Sequence, residues 1–264
     1  MDELAAIEYE RVRPFFQYIA YHRPAVFMVL DGILPARVFV DSREQPSVGL
    51  IVSDNCYLAG SMVNATFNTA FRSMLRIEVI PQKEHLFIFT FNEGWLDVLE
   101  ELFGDNGIKR LIRTSFDFDP LRFRERHAGW RERMPAGYLV QRIDAQIAAR
   151  VSGPVEIWGS IERFLAHGFG FCVIRDGRIV SNCQTVAVGD RRAEIGIGTG
   201  EAYRRQGLAT LAGCAYLEHC LANDLQPEWQ CYYNVASELL AEKLGFANKR
   251  EMQVAYIHTP RGVQ

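Results

Sequence analysis

The sequence lacks most of the short signatures that announce a particular chemistry. Its six cysteines, Cys56, Cys172, Cys183, Cys214, Cys220 and Cys231, form no C-x-x-C pair, which excludes a zinc knuckle or a thioredoxin-like redox motif. Its six histidines, His22, His85, His127, His167, His219 and His258, never stand at H-x-x-x-H spacing, so no catalytic metal is predicted. A G-x-x-x-x-G-K-(S/T) loop is absent, which argues against an NTPase, and without G-x-S-x-G a hydrolase nucleophile elbow has no support. No uncharged apolar run reaches the length of a membrane span. The start, Met1-Asp2-Glu3-Leu4, is acidic and has no basic segment leading into an apolar one, so a cytoplasmic location is expected. A formal charge of -3 gives no bulk reason to expect nucleic acid or an anionic membrane as partner.

What is present is apolar periodicity. The 264 residues are 48% hydrophobic, enough for one large core or two smaller ones. Helical spacing from Leu4 to Ile19 and over Ala25–Leu34 is followed by strand-like runs at 36–41, 48–53 and 56–59, with Asp54-Asn55 as a turn. Residues 62–75 read as helical, 86–91 as a strand, 95–103 as a helix closed by Gly104, and 111–116 as a strand. The N-terminal half is therefore expected to be a mixed α/β domain over residues 1–120. From Asp117 to Gly137 arginines alternate with glutamates between Pro120 and Pro135, and this stretch reads as a solvated linker over 121–136. A second domain is expected over 137–264.

In that second half the spacing predicts a strand at 138–142, helices at 143–151 and 157–167, and strands at 170–175 and 179–188 around the turn Asp176-Gly177. A strand at 193–199 leads to a helix at 208–223. A strand at 228–233, a helix at 236–244 capped by Gly245, and a strand at 253–258 complete the pattern. Alternation would put Glu194, Gly196, Gly198 and Gly200 on one face of the 193–199 strand, and Ile195 and Ile197 on the other. A face of glycines lets a ligand approach the backbone. Beyond it, Arg204 to Thr210 forms a turn that opens a helix, where unpaired amides and the positive dipole end make an anion site suited to a pyrophosphate. Arg204 and Arg205 add charge, and Gly207 and Ala209 leave room.

Arg204-x-x-Gly207-x-Ala209 resembles the (Q/R)-x-x-G-x-(G/A) motif of the GNAT acyltransferases. Trp229-Gln230-Cys231-Tyr232-Tyr233-Asn234, Ser237 and Lys243-Leu244-Gly245-Phe246 resemble the second half of that signature. The combination of N-x-x-S with L-A-E-K-L-G-F is similar to a subgroup that includes zwittermicin-resistance-type acetyltransferases, which carry an extra N-terminal region. The resemblance implies an α+β GNAT fold, a mixed, mostly antiparallel sheet with helices on both faces, preceded by a smaller α/β domain that could be a degenerate GNAT-like half. No second phosphate loop is visible in residues 1–120.

The resemblance further implies acetyl-CoA as cosubstrate, lying between the splayed strands 193–199 and 228–233. Arg204, Arg205, Gln206, Gly207, Leu208, Ala209 and Thr210 would hold the pyrophosphate, beside Ile197, Gly198 and Thr199 on the strand. Asn234 would meet the pantetheine arm, or cap a helix. Glu194 is the candidate base for a small-molecule amine, or else a strand residue paired with Arg191 or Arg192. The family's usual thiolate proton donor, a tyrosine, falls at Ala241, so Ser237, Tyr232 or Tyr233 stands in, with Ser237 preferred. Ala241 leaves room for a non-catalytic acyl-CoA-binding module; transfer to a protein amine or a hydroxyl is a further alternative.

Overall fold

The computed structural model describes residues 1–19, 21–92, 94–104, 107–232 and 234–258. The chain divides into two units, Met1–Arg113 with Met252–Gln264, and Thr114–Glu251.

The N-terminal unit starts with β1 (Asp2–Leu4), a 3-10 turn at Ala6–Arg11 and α1 (Arg13–Phe16). The single helix expected over 4–19 is thus broken; Pro14, tolerated only in a first turn, restarts it. Then come α2 (Arg23–Leu30), β2 (Arg37–Val40), β3 (Val48–Val52), β4 (Cys56–Gly60), α3 (Ala65–Met74), β5 (His85–Thr90) and α4 (Gly94–Phe103). Strands β1 to β4 pair antiparallel in chain order, whereas β4 and β5 run parallel, Cys56 opposite Ile88 and Leu58 opposite Thr90. The long helical connection over α3 is what a parallel pair requires. Phe67, Phe71, Trp95, Leu99 and Phe103 from the two amphipathic helices share a core with Leu50, Leu58, Leu86 and Ile88 of the sheet.

The C-terminal unit takes up the chain within β6 (Ile108–Phe118) and continues with α5 (Pro120–His127), β7 (Tyr138–Arg142), α6 (Ala145–Ala148), α7 (Pro154–Trp158) and α8 (Ile161–His167). It ends with β8 (Gly170–Arg175), β9 (Arg178–Gly189), β10 (Arg192–Thr199), α9 (Leu208–Ala222), β11 (Gln226–Tyr232), α10 (Val235–Lys243) and β12 (Phe246–His258). Its strands lie in the order β12-β6-β11-β10-β9-β8-β7, antiparallel from β7 to β10 and parallel between β10 and β11. Only the first part of β12 belongs here; its end, from Ala255, pairs antiparallel with β5 inside the N-terminal unit. The sheet is mixed and mostly antiparallel, in keeping with the expected fold class.

Three expectations need correction. The linker over 121–136 is instead structural: Asp119 caps α5 by accepting the Leu121 and Arg122 amides at 3.0 Å, and Phe123 and Trp130 are buried in the core. Gly245, at φ 95, lets the α5 backbone in; a Cβ there would stand 2.9 Å from the Phe123 nitrogen. Exposed arginines hid those two apolar anchors, each contributing on the order of 2 kcal/mol. The two compact units meet at Arg113/Thr114 and again at Glu251/Met252. The helix expected over 157–167 is two, because Gly159 turns left-handed (φ 75) and Ser160 caps a new start by accepting the Arg163 amide. The helix expected over 143–151 shrinks to α6, capped by Asp144.

Helix α9 organises this core. Leu208, Leu211, Ala212, Cys214, Ala215, Tyr216, Leu217 and Cys220 are buried, and Gly213 allows Leu244 so close that a Cβ would stand 2.6 Å from its Cδ1.

Candidate active site

Strands β10 and β11 share three rungs: Arg192 opposite Gln226, Ala193 opposite Pro227 and Glu194 opposite Glu228. Among the described residues they pair no further, while β10 stays paired with β9 to Thr199. A fork therefore opens just past the two glutamates. Ala193, Ile195 and Ile197 pack into the α9 core, leaving Glu194, Gly196 and Gly198 to the opposite face. The register slips between Glu194 and Ile195, but the additional residue is Val186 on β9, so alternation along β10 survives. Val186 also explains Gly196: a Cβ there would stand 2.5 Å from its Cγ1.

The loop after β10 runs from Gly200 through a 3-10 turn at Glu201–Tyr203 to Gly207. Arg205 and Gly207 both adopt positive φ, 62° and 78°, in the left-handed region. The Arg204 Nε donates to the Thr199 carbonyl at 3.3 Å. Tyr138 donates to Gln206 Oε1 at 3.0 Å and accepts from Arg175 at 2.9 Å, which ties the loop to β7 and β8. Gly207 is the N-cap of α9 and supplies no side-chain acceptor; its carbonyl takes the Leu211 amide at 3.2 Å. The amides of Leu208, Ala209 and Thr210 precede the first intrahelical donor, at the positive end of a 15-residue helix. Beside them lies a cavity of about 210 Å³ lined by Gly207, Thr210, Trp130 and the basic side chains of Arg133, His127 and Lys243. Burial and then the charges of Arg133 and Lys243 lower the His127 pKa against its hydrogen bond with the Lys243 carbonyl, at 2.8 Å.

On the other arm, Asn234 caps α10 by accepting the Ser237 amide at 3.2 Å. The Ser237 hydroxyl accepts the Trp229 indole N–H at 3.1 Å and keeps its own proton to donate. Ala241 is buried in the core, so no polar group issues from that position. Tyr232 is half-buried on β11, and Tyr233 lies outside the described residues. At the fork, Glu194 and Glu228 are 6% and 8% exposed. Arg192 donates to Glu228 Oε1 at 3.0 Å and Gln230 to Oε2 at 3.3 Å. The Glu228 pKa is nonetheless raised to about 7, first by burial and then by the like charge of Glu194, against those two donors.

The family model for GNAT acetyltransferases matches residues 13–255. This chain belongs to the GNAT acetyltransferase family. It is an acyltransferase by that membership, and its two-unit span is shared with relatives along nearly their whole length. It is 27% identical to the uncharacterized N-acetyltransferase YdfB of Bacillus subtilis (strain 168), over 97% of this chain and 98% of that one. Among solved structures, a GCN5-related N-acetyltransferase-like protein from Streptococcus suis has the same fold, with a TM-score of 0.73 at 22% identity over 96% of this chain and 99% of that one. A tandem GNAT protein from the clavulanic acid biosynthesis pathway follows it at a TM-score of 0.66 and 14% identity, covering 98% of each chain.

Within this GNAT fold, the residues singled out in the sequence divide into two groups. Ile197, Gly198, Thr199 and Arg204 to Thr210 form one continuous strand-to-helix turn, and Glu194 stands at the root of the fork. Asn234 and Ser237 sit together at the start of α10. Sequence reasoning missed Glu228 and the basic wall made by Arg133 and Lys243. Register gives the first: once 193–199 and 228–233 are taken as parallel neighbours, Glu228 falls beside Glu194. Arg133 was hidden by treating its segment as a linker.

Proposed function

We propose that this GNAT acyltransferase transfers the acetyl group of acetyl-CoA to the amine of a small molecule by direct attack. The observation that carries the reading is the uncapped start of α9 beside the β10–β11 fork. The amides of Gln206, Gly207, Leu208, Ala209 and Thr210 would receive the pyrophosphate, with Arg204 and Arg205 adding charge. Arg133 and Lys243 supply a positive wall to the adjoining cavity, which suits the further phosphate of coenzyme A. The pantetheine arm would run into the fork, along Ile197, Gly198 and Thr199 on one side and Asn234 on the other.

The chemistry follows from the fork. A backbone N–H of β10 freed from strand pairing stabilises the tetrahedral oxyanion. Glu194 takes a proton from the ammonium, because only the free amine is a nucleophile. Ser237 carries the hydroxyl of α10 and would protonate the departing thiolate, in the place of the tyrosine that Ala241 replaces. A thiolate is also a tolerable leaving group near its own pKa, so this donor contributes less than the base.

Calorimetric titration with acetyl-CoA, beside Gly207→Glu, tests the reading. The glutamate adds bulk and like charge at the phosphate position. Micromolar binding by the wild type with at least a roughly hundredfold loss in the variant is expected. Absence of binding by folded wild-type protein would sink the assignment.

A further inference from the structure

We propose that Glu228 acts with Glu194 as a second proton acceptor in acyl transfer. This deepens the reading above and rests on it for the identity of the reaction.

The argument begins with the sheet. Parallel neighbours lie about 4.8 Å apart, and residues on one rung point to the same face. Glu194 and Glu228 occupy the last rung that β10 and β11 share, so two carboxylates stand side by side where the fork opens. Both are buried, yet nothing about the fold requires an acid pair there. The next residues on that face of β10 are Gly196 and Gly198, which add no side chain of their own ahead of the pair, where Val186 and Asn182 of β9 approach instead. Glu228 is also held in place: Arg192 engages one of its oxygens and Gln230 the other. Each carboxylate oxygen has a further lone pair, so these contacts fix the group without using up its capacity.

The surrounding charges can be named element by element. Strand β10 brings Arg192 and Glu194. On α9, across the sheet, the buried Tyr216 hydroxyl donates to the Glu194 backbone oxygen at 3.4 Å. Strand β6, on the other side of β11, carries Asp117, which is engaged by Arg250 and Asn248. Among the described contacts Arg192 engages Glu228, yet burial and the like charge of Glu194 leave Glu228 holding a proton more readily than an ordinary carboxylate.

That capacity matches the stoichiometry. A protonated primary amine carries three hydrogens on nitrogen, and the product amide keeps one. The first proton passes to Glu194 and frees the lone pair. Nitrogen then bonds to the thioester carbon while the carbonyl π pair moves to oxygen. As the intermediate collapses, the C–S bond breaks with its electrons on sulfur, and the second proton leaves nitrogen for Glu228. One of the two protons neutralises the thiolate and the other goes to solvent. Two adjacent acceptors remove both protons without a water molecule having to enter between the steps.

The test has an arm that needs no acceptor. Carboxyl carbon NMR of glutamate-labelled protein should show Glu228 titrating near neutrality, and Glu194→Gln should make Glu228 about tenfold more acidic by removing the neighbouring charge. A second arm follows thiol release from acetyl-CoA with a panel of primary amines beginning with ethanolamine. Glu228→Gln should lower kcat by about a hundredfold and remove the acidic limb of its pH profile, with acetyl-CoA affinity unchanged and partial recovery in Glu228→Asp. The proposal is overturned if Glu228 titrates as an ordinary carboxylate, if Glu194→Gln leaves its midpoint where it was, or if Glu228→Gln keeps the wild-type kcat across the pH range. Failure of the wild type to bind acetyl-CoA would instead strike the parent reading, while the NMR arm still decides whether the pair is coupled.

Discussion

The two units repeat one succession of elements and finish it differently. In each, a strand leads through a loop to a helix, then to a parallel strand, a second helix and a long strand: β4, α3, β5, α4, β6 in the first and β10, α9, β11, α10, β12 in the second. The difference lies in what satisfies the first amides of the helix. In the N-terminal unit the loop has four residues, and Asn64 closes it by accepting the Phe67 amide at 3.0 Å while donating to Asp41 at 3.0 Å. The strand end is clamped as well, by Ser61 N to Ser47 O at 2.8 Å and the Trp95 indole to Gly60 O at 3.2 Å. In the C-terminal unit the loop runs from Gly200 to Gly207, and the helix start has no side-chain cap. The same topology thus gives a self-satisfied turn in one unit and an uncapped turn in the other, the one proposed to receive the pyrophosphate; the difference resides in the loop, not in the fold.

A matched pair of glycine substitutions gives the sharpest contrast. Gly60 and Gly207 both adopt positive φ, 97° and 78°. A Cβ on Gly60 would stand 2.3 Å from the Ser47 carbonyl oxygen, a backbone atom, whereas one on Gly207 meets nothing within 4 Å. Gly60→Ala therefore combines strain with a clash and should destabilise by about 4 kcal/mol or more, while Gly207→Ala costs only the backbone strain of about 1 kcal/mol. Denaturant titration checks both. Equal losses would mean that the N-terminal turn is no more tightly closed than the other.

Removing the cap comes next in size. Asn64→Ala strips the Phe67 amide of its acceptor and should cost about 1 kcal/mol. Acetyl-CoA affinity should be unaffected, because the N-terminal turn binds no phosphate in this reading. A parallel fall in affinity and stability would break the contrast by placing the N-terminal turn in the cofactor site.

How far the sequence discloses this depends on the kind of signal. Strands bounded by turns, such as 56–60 and 170–175, are legible because alternation and turn residues act locally. The phosphate turn is legible for the same reason: Arg204, Gly207 and Ala209 stand within one short segment. Features that depend on distant partners are not. Glu228 acquires its meaning only from the register against Glu194, set by a parallel pairing across 34 residues. Residues 121–136 look solvated because their arginines outnumber the buried Phe123 and Trp130, whose partners include Phe118 on β6 and Glu218 on α9. The start of β12, at 246–252, escapes notice because Asn248, Lys249, Arg250 and Glu251 give it the composition of a loop, although all lie on a paired strand.

The smallest effect is a pH dependence confined to the closed turn. Burial raises the Asp41 pKa, but donors from Ser47, Val48 and Asn64 outweigh it and bring the group down to about 2 from the usual 3.8. A carboxylate depressed in the folded state stabilises above its unfolded pKa and loses that contribution as pH falls through the folded value. The contribution should therefore be fully present above about pH 4 and decline toward pH 2. Asp41 is only partly buried, so the slope is shallow. Asp41→Asn should flatten that part of the acid-unfolding curve, and Asn64→Ala should flatten it in part, since one of the donors is then gone. Acetyl-CoA affinity near neutral pH should not follow either change. An acid slope that persists in Asp41→Asn would assign it to other carboxylates and leave the N-terminal turn held by the Asn64 cap with the Ser61–Ser47 and Trp95–Gly60 bonds.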